Sequence, residues 1–103
     1  MIANLMNLVT TNDGKTKTAA VYAIEDSAGG TEKFEFQICD QTIPKTETFA
    51  PNQGKPVSVV HTASGRCRVV VTVDGSSQNI DEFRNLDAAQ DDGTGAQVLT
   101  GTP

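Results

Sequence analysis

Lys33-Phe34-Glu35-Phe36-Gln37-Ile38 changes from polar to apolar at every step, and that period of two decides the fold class. In an extended segment Phe34, Phe36 and Ile38 share one side, with Lys33, Glu35 and Gln37 on the other. Arg66–Asp74 repeats the pattern, with Val69, Val71 and Val73 opposite Arg66, Arg68, Val70 and Thr72. Between 16 and 25, Tyr22 and Ile24 fall with Thr16, Thr18 and Ala20, against Lys15, Lys17, Ala19, Val21 and Ala23. Both faces of that segment are partly apolar, which predicts a central strand or one packed on both sides.

Turn residues separate these runs. Asn12-Asp13-Gly14-Lys15, Ser27-Ala28-Gly29-Gly30 and Ala63-Ser64-Gly65 supply the positive-φ positions that tight hairpins need. Strands are therefore expected at about 4–11, 16–25, 32–42, 57–62 and 66–74. The stretch 44–56, with Pro44, Pro51, Gly54 and Pro56, reads as a longer connection with a short edge strand around Thr46–Phe49. Asn79–Gln90 reads as a helix: Asn79 and Glu82 fit a capping box, and Ile80, Phe83 and Leu86 form a narrow apolar stripe. Asp91-Asp92-Gly93-Thr94-Gly95 stops it, and 91–103 reads as a flexible or arm-like tail anchored only by Val98 and Leu99. The expectation is a mainly β fold, a small antiparallel sheet or sandwich of about five or six short strands with one short C-terminal covering helix. It forms one domain over 1–90.

Composition narrows function by exclusion. The chain has 103 residues, 37% hydrophobic and 20% charged, with no Trp and one Tyr. It holds no apolar run of the ~20 residues a membrane-spanning helix requires, and its first residues lack the cationic flank of a signal peptide. A virion or cytoplasmic location is expected. The net charge of −5 is uneven: residues 1–74 carry seven bases and eight acids, whereas 75–103 carry Arg84 against five acids. An acidic chain is poorly suited to holding phosphates by bulk electrostatics. Phosphate-cradling glycine motifs are absent, and few aromatic rings are present to stack on bases or sugars.

By alternation Cys39 lies with Lys33, Glu35 and Gln37, and Cys67 with the valines. In a single sheet the two sulfurs would then point apart, which predicts free thiols; across two sheets a bridge remains open. Neither cysteine belongs to a metal-binding cluster, so no metal and no cofactor is expected. His61, the only histidine, reads as a structural strand-end residue without a local catalytic motif. Glu25-Asp26 and Asp91-Asp92 sit beside glycine turns, where solvated acids belong. Lys33, Arg66 and Arg68 share the polar sheet face, joined at its margin by Lys15 and Lys17; they could face nucleic acid only if assembly multiplies the patch.

No enzyme is indicated. A thin core gains from burying surface against copies of itself. The expected function is a self-associating structural subunit, a viral (bacteriophage) virion component such as a coat or decoration protein, with Ile80, Phe83, Leu86, Val98 and Leu99 as association residues. The alternative is a small monomeric protein-binding module, an inhibitor or adaptor using the Pro-rich loop 44–56. The order of hairpins then amphipathic helix, across 4–90, resembles in layout the coat proteins of small RNA bacteriophages. That resemblance implies an interlocked dimer whose inner sheet face meets RNA. The single helix and the acidic balance depart from it.

Overall fold

The two alternating valine and phenylalanine runs pair directly. β3 (Gly30–Ile38) and β6 (Arg66–Val73) lie antiparallel, Phe36 opposite Val71 and Ile38 opposite Val69. The computed structural model describes residues 3–76 and 78–88. Around that pair the described chain also forms β1 (Ala3–Asn12), β2 (Lys17–Glu25), β4 (Gln41–Phe49), β5 (Gly54–His61) and β7 (Asn79–Asn85). They build two antiparallel sheets with strand orders β1-β2-β5 and β4-β3-β6-β7. The chain crosses between sheets after β2, β4 and β5, the connectivity of a Greek-key sandwich.

Packing follows from side-chain size. The three-stranded sheet turns Ala19, Val21, Ala23, Val57 and Val59 inward, and the four-stranded sheet meets them with Phe34, Phe36, Ile38, Val69, Val71 and Val73. Small residues on one sheet leave room for the phenylalanines of the other, so the layers interdigitate. The flanks are closed by long polar side chains. On one, Lys55 Nζ donates to Thr48 O (2.7 Å) and lies over the Phe49 ring, bringing β5 against β4. On the other, Arg84 donates to Leu8 O (2.9 Å), bringing β7 against β1.

Three expectations are corrected. The C-terminal covering helix does not form: 79–85 is β7, and no helix occurs among the described residues. Asn, Ile, Asp and Phe are mediocre helix formers, and the segment instead pairs with β6 from Arg66–Asn85 to Thr72–Asn79. A second sheet supplies the cover assigned to the helix, so the hairpins-then-helix layout that resembles the phage coat proteins does not occur. Strands number seven among the described residues rather than five or six, because 41–49 is a complete strand. The Pro-rich loop 44–56 is accordingly mostly strand, with Pro44 inside β4, Pro56 inside β5 and only residues 50–53 between them. Both prolines lie on edge strands, where a missing N–H costs no ladder hydrogen bond.

The thiols are the third correction, since Cys39 and Cys67 form a disulfide with Cα atoms 5.0 Å apart. Their strands are indeed neighbours in one sheet. Cys39, however, adopts φ +57°, which breaks the alternation just past β3 and swings its side chain to the core side where Cys67 lies. No helix of the described residues is long and apolar enough to cross a membrane.

Candidate interaction surfaces

The outer face of the four-stranded sheet is polar. Thr42, Pro44, Thr46 and Thr48 of β4 lie beside Thr31, Lys33, Glu35 and Gln37 of β3, followed by the outward residues of β6 and β7. Lys33, Arg66 and Arg68 do share this face, but two of the three cations are engaged. Arg68 makes a two-pronged pair with Asp81, Nε to Oδ1 at 2.7 Å, and Arg66 lies 5.6 Å from the Phe83 ring centre. That hydrogen bond and the facing charges hold Arg68 above and Asp81 below their ordinary pKa values. Lys33 lies toward the other end of the sheet, beside an open concavity of about 620 Å³ walled by Glu35, Thr42, Pro44, Thr72 and Ser76. Lys15 is in the β1–β2 turn, and Lys17 is bound to Ala63 O and Ser64 Oγ, each at 3.0 Å.

The outer face of the three-stranded sheet has the opposite character. Ladder partners place Met6 beside Tyr22 beside Pro56, Val9 beside Ala20 beside Ser58, and Thr18 beside Val60. Met6 is 42%, Tyr22 41% and Val60 64% exposed, although all are large apolar or aromatic side chains. The Tyr22 ring crowds Gly54, where an added Cβ would meet its ring and hydroxyl at 2.8–3.1 Å. A β-bulge between Met6 and Val9, with Asn7 at φ +55°, lifts β1 locally. Under it opens an apolar hollow of about 240 Å³ walled by Asn7, Val9, Ala20, Tyr22 and Pro56. The sequence shows 16–25 as apolar on both faces, but setting Met6 and Pro56 beside Tyr22, with Val60 farther along the same face, needs the strand order.

Of the five association residues, the structure brings two onto β7 in different roles. Phe83 is 58% exposed, while Ile80 is half-buried against the core. Leu86, just past the strand, is buried, and its N–H donates to Gly65 O at 2.8 Å. Val98 and Leu99 lie outside the described residues.

Among the described residues three titratable side chains are buried: Glu25, Glu32 and His61. His61 Nδ1 accepts the Ala63 N–H (3.1 Å), leaving the neutral ring's proton on Nε2, and burial with nearby Lys17 lowers its pKa. Glu25 and Glu32 meet at the opposite end of the sandwich, where Oε2 of each has no donor. Burial, then the hydrogen bond and charge of Glu25, push the Glu32 carboxyl up to about 7. A protonated Glu32 would be able to donate to Glu25, whereas two ionised carboxylates held here repel each other. Among the described residues no three His, Cys, Asp or Glu side chains gather as a metal set. No protein-family model matches this chain, and no curated protein or solved structure matches it.

Proposed function

We propose that this chain is a non-catalytic structural subunit that assembles with copies of itself. The observation that carries the reading is the outer face of β1-β2-β5, where Tyr22, with Met6 beside it, stands exposed at an apolar hollow and Val60 continues the exposed apolar face farther along β5. A contiguous apolar face of this kind marks a contact surface, since isolated apolar residues scatter but do not cluster on one sheet. A second copy laid on the same face makes an isologous contact, the commonest way small chains associate. The Cys39–Cys67 bridge supports an oxidising setting such as a virion or cell surface over the cytosol. A bacteriophage coat or decoration protein is the setting we carry forward within this reading.

Light scattering on a sizing column across a dilution series tests it. The expected mass exceeds that of one chain and falls when Tyr22→Lys and Val60→Lys are combined. A single-chain mass for the unaltered protein at every concentration overturns the reading.

A further inference from the structure

Each sheet edge is a row of backbone groups open to another strand, and proteins blunt such edges with prolines, bulges or covering segments. Three of the four edges here are blunted. β4 carries Pro44, β5 carries Pro56, and β1 carries the bulge between Met6 and Val9. Among the described residues β7 has none of these: Asn79-Ile80-Asp81-Glu82-Phe83-Arg84-Asn85 runs without proline, its register against β6 is unbroken, and its guard against wrong partners is the charge of Asp81, Glu82 and Arg84. It ends the four-stranded sheet, with Phe83 exposed on the outer face.

We infer that the β7 edge pairs antiparallel with β7 of a second copy, about a two-fold axis through Phe83, joining two four-stranded sheets into one. This rests on the self-association proposed above and adds a second, separate contact. The register follows from the residues. Side chains stay on their own faces only if a residue meets one of the same parity across the axis. An axis at Asp81, Glu82 or Arg84 puts a like charge against itself, which is unfavourable for directly opposite residues. The axis at Phe83 instead sets Glu82 opposite Arg84 of the second copy, and Arg84 opposite its Glu82, while the two Phe83 rings meet. Asp81 then faces Asn85. Within one chain Glu82 already reaches Arg84 at 2.7 Å, with half of the Glu82 side chain exposed, so the second pair extends an existing network. An isologous contact at the apolar face and another at the β7 edge together generate either a closed tetramer or an extended array.

Cysteine substitution on the full chain tests the register. Residues paired across an antiparallel axis lie about 4.5–5.5 Å apart at Cα, within reach of a disulfide. Phe83→Cys is expected to give a covalent dimer linked through residue 83 under mild oxidation, with Cys39–Cys67 intact by peptide mapping. Asp81→Cys is expected to stay single, because it faces residue 85. Glu82→Arg should weaken the pairing about tenfold or more, and the exchange Glu82→Arg with Arg84→Glu should restore it. No bridge at 83, or equal bridging at 81 and 83, overturns the inference; occupation of this edge by residues 89–103 of the same chain would give the first result. If the unaltered chain still associates when that happens, self-association stands and only the β7 contact falls. Bridging at 83 that persists with Tyr22→Lys and Val60→Lys shows the edge acting without the apolar face.

Discussion

The two ends of the sandwich solve the same problem in opposite ways. At one end the β1–β2 turn, the β5–β6 turn and the segment after β7 are tied together. Lys17 reaches Ala63 O and Ser64 Oγ, Asp87 accepts the Gly65 N–H at 2.9 Å, and Cys39–Cys67 joins β3 to β6 beside them. At the other end the β2–β3 turn meets the β4–β5 turn through Asn52 N to Asp26 O (2.8 Å) and Glu25 N to Gln53 O (2.8 Å), but beneath them two carboxyl groups are buried together. One end is stapled and the other carries stored repulsion. The difference predicts opposite responses to redox state and to pH.

Removing the staple should have the largest effect. The disulfide spans a sequence separation of 28, for which loop-closure entropy gives about 3–4 kcal/mol. Cys39→Ala with Cys67→Ala should lower the unfolding free energy by that amount, read as a fall in the denaturant midpoint, and reductant should do the same to the unaltered chain. An unchanged midpoint would place the rigidity of this end in the Lys17–Asp87 ties instead. At the other end Gly29 has φ +69°, and an added Cβ would lie 2.9 Å from Pro51 N and 3.0 Å from Phe49 O, both backbone atoms. Gly29→Ala should therefore cost about 1–3 kcal/mol. Gly14, at φ +88°, has open space around it, so Gly14→Ala should cost only the conformational part, on the order of 1 kcal/mol.

The pH prediction has a sign at each end. The folded pKa of Glu32, about 7, lies above its ordinary 4.5. Its contribution is full below 4.5 and is lost as pH rises through about 7, up to about 3 kcal/mol for a shift of that size. His61 is lowered from 6.5, so its contribution is full above 6.5 and is lost as pH falls through the folded value. Asp13, lowered by the amides of Thr16 and Lys15 at the same end, also loses stability on acidification. Thermal melts across pH 4–9 should show Glu32→Gln flattening the alkaline limb and leaving the acid limb. If Glu32→Gln melts exactly as the unaltered chain does above pH 7, no proton sits between Glu25 and Glu32.

Much of this architecture was legible in the residues, and what was missed has identifiable physical causes. Alternation placed Phe34, Phe36, Ile38 and the β6 valines inward and Lys33, Arg66 and Arg68 outward, because a buried sheet face imposes a period of two. The same rule failed at Cys39, where one left-handed residue inverted the side chain, and non-glycine residues carry no mark of that in sequence. In 79–85 the i, i+3, i+6 stripe of Ile80, Phe83 and Leu86 read as helical. Leu86 is buried past the strand end and Phe83 faces outward, so the three never share a face. The carboxyl pair was invisible, since Glu25 and Glu32 flank a glycine turn that ordinarily implies solvated acids. The apolar outer face was half legible: β2 showed it, while its neighbours required the order β1-β2-β5.

The smallest expected effect separates two lysines that composition treats alike. Lys17 belongs to the stapled end, where its ammonium holds two partners of the β5–β6 turn and lies 3.4 Å from Asp87. Its side chain is only 22% exposed, so Lys17→Met strands the Ala63 carbonyl without its donor and should cost about 1 kcal/mol. Lys33 stands exposed on the polar sheet face beside Thr46, and Lys33→Ala should change stability by about 0.5 kcal/mol or less. Chemical denaturation of the two variants side by side measures the contrast. Equal costs would mean that the ties at the stapled end add nothing beyond the disulfide, and that the two ends differ only by their covalent bond and their buried acids.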